Sequence, residues 1–271
     1  MSTYLKYGEL VHLWEEKRGR TFTFSLQEGA VLNTPYGVVA HDEIVDKLEG
    51  SEVFSSRGHQ FWIFRPKSKE LMMKVKRKTQ IVYPKDAGWL VLALDIQPGI
   101  KVVEMGTGSG AFTILLARLV GSEGKIFTFD RRQDLLKNAL YNINRAGVSD
   151  RVEARLHLAG FPFPVSNVDA VFLDLPHPWT AVPHAYKALA PGKPLALIVP
   201  NAEQLKESVK MLEDTGFISI DVVEVLERDI LVRQKEGVRP FERMIGFTTY
   251  LVSARKKASQ EKKNSIEKPI D

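Results

Sequence analysis

The sequence contains no cysteine among its 271 residues. This absence excludes disulfides, a thiol nucleophile and a cysteine-ligated zinc site, and it fits a reducing compartment. The chain also lacks a run of about 18 apolar residues, the length that a membrane-spanning helix needs. Its first residues, MSTYLKYGEL, contain no apolar segment of the kind found in signal peptides. We therefore expect a cytoplasmic protein without a membrane segment.

Several catalytic patterns are missing as well. The six histidines show no metal-ligand spacing, so we expect no metal centre, and no G-x-S-x-G sequence surrounds a nucleophilic serine. The glycine-rich segment GTGSG at 106–110 is spaced differently from the dinucleotide pattern G-x-G-x-x-G, and it does not end in the Lys-Ser or Lys-Thr of a P-loop. The sequence thus points away from NAD and ATP as cofactors.

The overall composition is that of an ordinary globular protein. Apolar residues make up 44% of the chain and charged residues 26%, which is enough apolar material for a sizeable core. The formal net charge is +5. A mildly basic chain can bind a polyanion such as RNA, but this charge does not require it.

Residues 1–75 show little helical periodicity. The segment 21–24 alternates like a β-strand, 33–37 has the composition of a turn, and 60–65 is a second strand candidate. These features predict a small β-rich N-terminal domain. A helix with the sequence KELMMKVKRK, beginning at Lys69, is expected to link this domain to the rest of the chain.

Residues 76–255 alternate between strand-like and helix-like segments, which is typical of βαβ units. We expect an α/β fold with a Rossmann-like, doubly wound, mostly parallel sheet and an antiparallel edge strand, because no helix separates the last two strands. The predicted strands are 101–104, 125–129, 152–158, 169–173, 194–198, 217–226 and 244–254, and the predicted helices are 86–96, 110–120, 133–145, 179–189 and 202–216. The charged tail, 256–271, is expected to be disordered.

The most informative segment is KVVEMGTGSGA, residues 101–111. An apolar strand leads into Glu104, and three glycines then turn the chain into a helix. Glycine has no Cβ, so the turn lets a ligand approach the backbone, and its place after a parallel strand suits a nucleotide-sized ligand. The pattern predicts a site for an adenosine-bearing cofactor. A tight turn without a ligand is the alternative.

Two aspartates end later strands of the same predicted sheet. At the end of the second strand, Asp130 could accept hydrogen bonds from both ribose hydroxyls of an adenosine, or it could be a surface or helix-capping carboxylate. Asp174 ends the buried strand AVFL and begins DLPHPW, in which two prolines fix the loop. There it could accept a hydrogen bond from an exocyclic amine of a substrate, or it could cap a helix.

The segment QIVYPKD precedes the helix that leads into the glycine strand. Its Tyr83 offers a stacking face and a hydroxyl group, although a core aromatic is the alternative interpretation. Two basic sets could bind phosphates or be solvated surfaces. The first comprises Lys74, Lys76, Arg77 and Lys78, and the looser second set comprises Arg228, Arg233, Arg239 and Arg243.

Four segments, in this order, resemble the tRNA (adenine-58-N1)-methyltransferases, a family of class I S-adenosylmethionine-dependent methyltransferases. They are KRKTQIVYPKD, DIQPGIKVVEMGTGSGAFTILLARLVGSEGKIFTFDRR, VDAVFLDLPHPW and RPFERMIGFTTYLVSARK. GTGSG alone is weak evidence, because protein isoaspartate methyltransferases carry a similar loop, whereas YPKD together with DLPHPW is specific. The resemblance covers residues 65–256 well and the β-rich segment more loosely.

The resemblance implies S-adenosylmethionine as cofactor and, as acceptor, an adenosine in the T loop of tRNA, at position 58 or also at 57. It implies that Asp174 faces the target adenine as a catalytic residue and that Tyr83, the second catalytic candidate, lines the acceptor pocket. Glu104 would lie beneath the methionine end of the cofactor. The expected cofactor-binding set is Gln80, Glu104, Gly106, Thr107, Gly108, Ser109, Gly110, Ala111, Asp130, Arg131, His157 and Asp174. A homotetramer is expected, and RNA binding is expected of Lys74, Lys76, Arg77, Lys78, Arg239 and Arg243.

The chain departs from the family pattern at two places. The family usually has an acid near the end of the third strand, where it contacts the cofactor adenine, but here His157 and Leu158 occupy that region. We expect backbone groups to recognise the adenine instead. The family's G-H-T sequence near the last strand is Gly246-Phe247-Thr248 here, so a role of the family histidine does not transfer.

Adenine N1 carries a free lone pair at neutral pH, so the expected task of the enzyme is to place N1 in line with the methyl group. The Asp174 carboxylate would stabilise the positive charge that develops on the ring. Two other functions stay open. The chain could methylate a protein or a small molecule, or, given its altered third strand, it could be a non-catalytic tRNA-binding subunit of such an enzyme.

Overall fold

The structure is a computed structural model that describes residues 4–233 and 237–258. The strands in this part of the chain are β1 (Leu10–Glu15), β2 (Arg20–Ser25), β3 (Val31–Thr34), β4 (Gly37–Ala40), β5 (Glu52–Phe54), β6 (Gln60–Phe64), β7 (Lys101–Met105), β8 (Lys125–Asp130), β9 (Val152–Leu156), β10 (Ala170–Asp174), β11 (Pro194–Val199), β12 (Phe217–Val223), β13 (Ile230–Arg233), β14 (Gly237–Pro240) and β15 (Tyr250–Lys256). The α-helices are α1 (Ser68–Met73), α2 (Pro84–Ala93), α3 (Ala111–Leu119), α4 (Gln133–Arg145), α5 (Val182–Ala188) and α6 (Ala202–Thr215).

The N-terminal segment forms an antiparallel sheet with the strand order β2-β1-β6-β5, and β3 pairs with β4 in a separate hairpin. Strand β6 shows why this segment forms a sheet: Phe61 and Ile63 are fully buried and alternate with more exposed residues, as in a strand with one face on the core. These two side chains pack with Leu5, Val11 and Leu13 into a core made of N-terminal residues. The predicted β-rich segment is confirmed, and the boundary at residue 75 stays a prediction.

The larger sheet has, within the described residues, seven strands in the order β12-β15-β11-β10-β7-β8-β9. Strands β11, β10, β7, β8 and β9 run parallel, whereas β15 pairs antiparallel with both β11 and β12. The predicted fold class is confirmed. The antiparallel strand is β15, and it lies one place inside the edge, between β11 and β12.

The sheet is covered on both faces, as a doubly wound fold requires. Along β10 the side chains alternate: Phe172 joins the apolar cluster that includes residues of α2, α3 and α4, while Val171 and Leu173 join the cluster that includes residues of α5 and α6. Because both faces of β10 are buried, its sequence is continuously apolar up to Asp174. The strand therefore ends in a carboxylate at the margin of the core.

The linker helix KELMMKVKRK was predicted too long, since α1 ends at Met73. Beyond it, side chains of the larger domain bind the backbone of the linker. The Lys76 N–H donates to the amide oxygen of Asn142 at 2.9 Å, and the Lys78 N–H donates to Oγ of Ser109 at 3.0 Å. These side chains satisfy backbone N–H groups that a longer helix would use for its own hydrogen bonds, so the helix does not continue.

The C-terminal prediction also needs correction. The predicted strand pair 217–226 and 244–254 is shorter and shifted in the structure, because the ladder pairs Phe217 with Lys256 and Val223 with Leu251. The intervening hairpin of β13 and β14 was missed. Lys256, assigned to the tail, belongs to β15, and tail residues 259–271 lie outside the described part of the chain.

Candidate active site

The carboxyl ends of β7, β8 and β10 meet at one edge of the sheet. In the ladder, Met105 of β7 pairs with Phe129 of β8 and with Leu173 of β10. The three predicted acids, which adjoin these residues in sequence, therefore lie at the same edge. A cleft opens there, and it is lined by Gln80, Ile81, Val82, Glu104, Gly106, Thr107, Gly108, Ser109, Ala111, Phe112, Phe172 and Asp174.

Two positions of the glycine loop require glycine, and each approaches a different neighbour. At Gly106, φ is 106°, and a Cβ would lie 2.0 Å from the carbonyl oxygen of Asp174. At Gly108, φ is 54°, and a Cβ would lie 2.9 Å from Oγ1 of Thr79. A side chain at either position would collide with a neighbour in a backbone conformation that L-residues rarely adopt. The loop is consequently held close to both the end of β10 and the linker.

Glu104 lies inside the protein beneath this loop and is 1% exposed. Its Oε2 accepts hydrogen bonds from the hydroxyls of Thr113, at 2.5 Å, and Thr128, at 2.6 Å. Burial raises the pKa of Glu104 to about 7, the two threonines oppose that rise, and the charges of Asp174 and Asp130 add to it. The cleft therefore has a buried carboxyl group that titrates near neutrality.

Asp174 stands at the carboxyl end of β10 and lines the cleft. Burial raises its pKa to about 6, and the negative charge of Asp130 acts in the same direction. A nearby cation would favour the ionised forms of Asp174 and Glu104, because it would offset the cost of a negative charge where burial disfavours one. The site is thus suited electrostatically to a positively charged ligand.

Asp130 is buried and fixed by backbone donors. Its Oδ2 accepts from the Gly108 N–H at 3.0 Å, and its Oδ1 accepts from the Arg132 N–H at 2.9 Å. Each carboxylate oxygen retains a further lone pair for an additional donor. Asp130 touches the glycine loop directly, although it does not line the cleft itself.

His157 and Arg131 lie beside Asp130 rather than in the cleft. Arg131 is exposed. The His157 N–H donates to the carbonyl of Asp130 at 3.0 Å, and its ring packs 5.2 Å from Phe129 and 5.6 Å from Phe163, centroid to centroid. The departure from the family acid therefore places an imidazole within an aromatic group at the end of β9.

Tyr83 occupies the position just before α2 and is partly buried. Its neighbours Ile81 and Val82 line the cleft, whereas Tyr83 does not. Gly110, which precedes α3 and has φ of 78°, is likewise not among the lining residues. Of the predicted set, the structure gathers Asp174, Glu104 and most of the glycine loop, and it leaves Tyr83, Gly110, Arg131 and His157 around them.

A buried ion pair joins the YPKD segment to the chain before β15. Nζ of Lys85 donates to Asp86 at 2.7 Å, to the carbonyl of Val225 at 2.7 Å and to Oγ1 of Thr248 at 2.6 Å. The Thr248 hydroxyl in turn donates to Asp86 at 2.8 Å. The sequence did not predict this network, although the departure at Gly246-Phe247-Thr248 drew attention to one of its members.

The two basic sets differ in their relation to the cleft. Lys74, Lys76, Arg77 and Lys78 are exposed along the linker, and the backbone of Lys78 is bound to Ser109 of the cleft. Arg239 and Arg243 are exposed in and after β14, where Arg239 pairs with Glu242 at 2.6 Å. Among the described residues, a hydrogen bond thus joins the linker set to the glycine loop, and none joins Arg239 or Arg243 to it.

Several residues of the site were not predicted from the sequence. Ile81, Val82, Phe112 and Phe172 line the cleft, Thr113 and Thr128 bind Glu104, and Asn138 and Asn142 hold the linker. A signal existed for the threonines, because a hydroxyl in an otherwise apolar buried element usually has a hydrogen-bond partner. The apolar lining gives no such signal.

Two searches of the described residues concern other classes of site. No group of three or more histidine, aspartate or glutamate side chains there is arranged to hold a metal ion. Within the same residues, every helix is too short or too polar to cross a membrane.

Comparison with known proteins decides the family. The sequence model of one protein family, described as the tRNA methyltransferase complex GCD14 subunit, matches residues 61–268. A second family model, described as TrmI-like N-terminal, matches residues 4–53. The chain belongs to this tRNA methyltransferase family. The resemblance seen in the sequence is confirmed, and the second model covers residues 4–53 of the β-rich segment.

Curated members of the tRNA methyltransferase family align over most of the chain. The tRNA (adenine(57)-N(1)/adenine(58)-N(1))-methyltransferase of Methanocaldococcus jannaschii is 34% identical, with 82% of this chain and 86% of the relative covered. The tRNA (adenine(58)-N(1))-methyltransferase of Thermus thermophilus is also 34% identical, with 90% and 96% covered. The catalytic subunit of the Candida albicans enzyme is 30% identical, with 87% and 72% covered.

Solved structures give the same fold for family and chain. A protein of Thermotoga maritima described as an S-adenosylmethionine-dependent O-methyltransferase superposes with a TM-score of 0.88 at 34% identity, covering 96% of this chain and 97% of its own. The tRNA (m1A58) methyltransferase of Aquifex aeolicus superposes with a TM-score of 0.79 at 29% identity, covering 94% and 100%.

Proposed function

We propose that this chain transfers a methyl group from S-adenosylmethionine to N1 of adenosine 58 in the T loop of tRNA. The observation that carries the proposal is the cleft shared by the glycine loop and Asp174, which touch at Gly106. A cofactor in the loop and a base beside Asp174 would therefore be neighbours. The family relatives that act on adenine N1 of tRNA support the choice of substrate.

The residues at the cleft fit S-adenosylmethionine. Gly108 has no side chain, so a ligand can approach its backbone closely. Asp130 has free lone pairs that can accept hydrogen bonds from two ribose hydroxyls. Glu104 and Asp174 supply negative charge where a sulfonium and an ammonium group need it. When bound, S-adenosylmethionine supplies a methyl group on positively charged sulfur. We assign cofactor binding to Gln80, Glu104, Gly106, Thr107, Gly108, Ser109, Gly110, Ala111, Asp130, Arg131, His157 and Asp174.

Asp174 is the catalytic residue of this proposal. Methylation at N1 leaves the adenine ring positively charged, and a carboxylate beside the exocyclic amine stabilises that charge and can accept an amine proton. The partial burial of Asp174 strengthens this interaction, because fewer water molecules compete for the carboxylate. We assign Tyr83, which adjoins the cleft-lining Val82 in sequence, to stacking on the extruded base.

The substrate base must leave its stack to reach this cleft. The linker cations Lys74, Lys76, Arg77 and Lys78 are exposed beside it, and we assign them to phosphates near the target nucleotide. Arg239, in β14, and Arg243, just after that strand, are assigned to RNA as well, from a neighbouring subunit of a tetramer.

A homotetramer is part of the proposal. The hairpin of β13 and β14 exposes large apolar side chains, with Val232 at 73% and Val238 at 71% exposure, and Ile245 and Phe247 follow at 53% and 45%. A set of exposed apolar residues this large is typical of protein interfaces. We infer that copies of the chain associate through this hairpin, and that the protein works in the cytoplasm, where tRNA is a substrate.

Methyl transfer tests the proposal. The protein is incubated with labelled S-adenosylmethionine and either bulk tRNA or bulk protein, and the tRNA is then digested for nucleoside mass spectrometry. N1-methyladenosine is expected in tRNA only. Label in protein, or O-methylated nucleosides of the kind that the Thermotoga description would suggest, would overturn the proposal.

Two further results separate the remaining alternatives. Transcripts without adenine at position 58 should lose the label, whereas those without adenine at 57 should keep it; the name of the Methanocaldococcus enzyme makes 57 the alternative to test. Calorimetry with S-adenosylhomocysteine should show binding, because a non-catalytic subunit would not need a cofactor.

A further inference from the structure

Three turns meet at one end of the N-terminal sheet. They are 16–19 between β1 and β2, 35–36 between β3 and β4, and 55–59 between β5 and β6. The Ser55 hydroxyl donates to the carbonyl of Tyr36 at 2.6 Å and joins the last two turns. Nε2 of His59 lies 3.3 Å from the carboxylate of Glu15, which adjoins the first turn. We call these three turns, with Arg20, the turn surface.

The turn surface combines cations with stacked rings. Lys17, Arg18, Arg20 and Arg57 are exposed, and none of them forms an ion pair with another described residue. The rings of Tyr36 and His59 stack with centroids 4.1 Å apart, and the guanidinium of Arg20 lies 5.7 Å from the Tyr36 centroid. These cations are therefore available to an external anion.

One acid beside these cations, Glu15, is already engaged. Glu15 is buried, and its carboxylate accepts from the N–H groups of Lys17, at 3.0 Å, and Arg18, at 2.9 Å. It therefore shapes the first turn instead of neutralising the side chains around it. Glu16 is the exposed acid in that turn, so the cations outnumber it on the surface.

The turn surface is connected to the cleft through the linker. The guanidinium of Arg145 donates to the carbonyl of Thr23 at 2.8 Å and to the carbonyl of Lys74 at 3.3 Å. Arg20 lies about 10 Å from Thr23 along β2. From Lys74 the basic linker leads to Lys78, whose backbone is bound at the cleft. A basic path of roughly 30 Å or less therefore runs from the cleft to the turn surface.

We propose that the turn surface binds backbone phosphates of the tRNA substrate, at a helical segment away from the methylated base. This inference rests on the proposed function. Exposed arginines beside aromatic rings suit RNA, since arginine pairs with phosphate through a planar fork of donors. Phosphate contacts fix the register of the RNA without reading its sequence. The turn surface thus anchors the substrate and takes no part in the chemical step.

The experiment compares the triple variant Arg18→Ala/Arg20→Ala/Arg57→Ala with a matched control, Lys187→Ala/Lys206→Ala/Lys210→Ala. The control residues are exposed on α5 and α6, on the opposite face of the larger sheet from the linker-side helices. Filter binding of tRNA over a salt series gives the affinity and its salt slope, and steady-state methylation gives KM and kcat.

The triple variant should bind tRNA about tenfold more weakly or worse, with a salt slope reduced by about 2 to 3, because each lost phosphate contact releases one counterion fewer. KM should rise in parallel and kcat should stay within about twofold, while the control keeps wild-type values. The variant Lys17→Glu/Arg18→Glu, in an exposed turn, should show the same pattern and guards against misfolding of the triple variant.

Two outcomes would overturn the inference. The first is unchanged affinity and salt slope in both turn-surface variants, and the second is an equal loss in the control, which would indicate only the general charge of the protein. Failure of the proposed function looks different, since wild-type protein would then leave tRNA unmethylated. A wild type that methylates tRNA beside turn-surface variants that bind it normally would contradict this inference alone.

Discussion

The backbone of Gly106 and the carbonyl group of Asp174 are in direct contact, since a Cβ on Gly106 would lie 2.0 Å from the Asp174 oxygen. The two residues belong to different parts of the site: the loop proposed to hold the methyl donor and the strand end proposed to face the methyl acceptor. Because the contact is between backbone groups, it fixes the distance between the two halves of the site without any flexible side chain.

Replacing Gly106 with alanine should disrupt both halves at once. The new Cβ would push β10 and the loop apart, so we expect loss of S-adenosylhomocysteine binding and a stability loss well above that of a simple conformational penalty. Gly192→Ala is the control, because Gly192 has φ of 78° with nothing within 4 Å of its Cβ position. That change should cost about 1–2 kcal/mol. Urea unfolding and calorimetry measure both effects, and wild-type cofactor affinity in Gly106→Ala would contradict the proposed contact.

The substitution Asp174→Asn should separate cofactor binding from catalysis. The amide keeps the shape of the side chain but cannot stabilise positive charge on the adenine or accept a proton, so kcat should fall about 10²-fold or more. Affinity for S-adenosylhomocysteine should stay near the wild-type value, because this ligand lacks the sulfonium charge that Asp174 is proposed to face. The matched control is Asp221→Asn on the exposed side of β12, which should leave both quantities unchanged. Single-turnover methylation of tRNA measures the chemical step, and wild-type turnover in Asp174→Asn would refute its catalytic role.

Glu104 should make the free protein less stable as the pH rises. Its pKa is about 7 in the fold and 4.5 as the ordinary value, so between these values the folded state binds more protons than the unfolded state. The free energy of unfolding should therefore decrease from about pH 4.5 to about pH 7, by at most on the order of 3 kcal/mol from this group.

Glu104→Gln tests that sign. The amide oxygen still accepts from Thr113 and Thr128, but the amide does not ionise. The decrease in unfolding free energy from pH 5 to pH 8 should therefore be smaller in Glu104→Gln than in the wild type. Urea titrations at the two pH values measure it. The same difference in wild type, in Glu104→Gln and in the exposed control Glu213→Gln would show that Glu104 titrates normally.

Lys85→Met should destabilise the protein by about 3–5 kcal/mol, because it leaves the buried Asp86 without its cation. The double variant Lys85→Met/Asp86→Leu should regain much of that loss, since replacing both charges removes the unpaired carboxylate. Urea unfolding of the two variants gives the comparison. Equal stability of Lys85→Met and wild type would mean that the pair contributes nothing to the attachment of the segment around Thr248.

The positions of the three acids could be predicted from the sequence, because the carboxyl ends of parallel strands meet at one edge of the sheet. Glu104, Asp130 and Asp174 each end or nearly end an apolar strand, so their convergence follows from the period and order of the strands. The family resemblance added chemical roles that the pattern alone did not provide.

What the sequence could not provide depends on contacts between distant segments. The end of α1 is decided by Asn142 and Ser109, which lie far along the chain from the linker that they bind. The Lys85–Thr248 contact joins residues 163 positions apart. Val232 and Val238 of the β13–β14 hairpin are largely exposed. The hairpin therefore lacks the buried apolar pattern from which a strand is predicted.

A crystal structure with S-adenosylhomocysteine tests the central claim most directly. The account predicts that the sulfur lies in the cleft between the glycine loop and Asp174, with the ribose hydroxyls on Asp130 and open space for a purine on the Asp174 side. A ligand bound elsewhere, or one whose sulfur is screened from Asp174 by the protein, would contradict it.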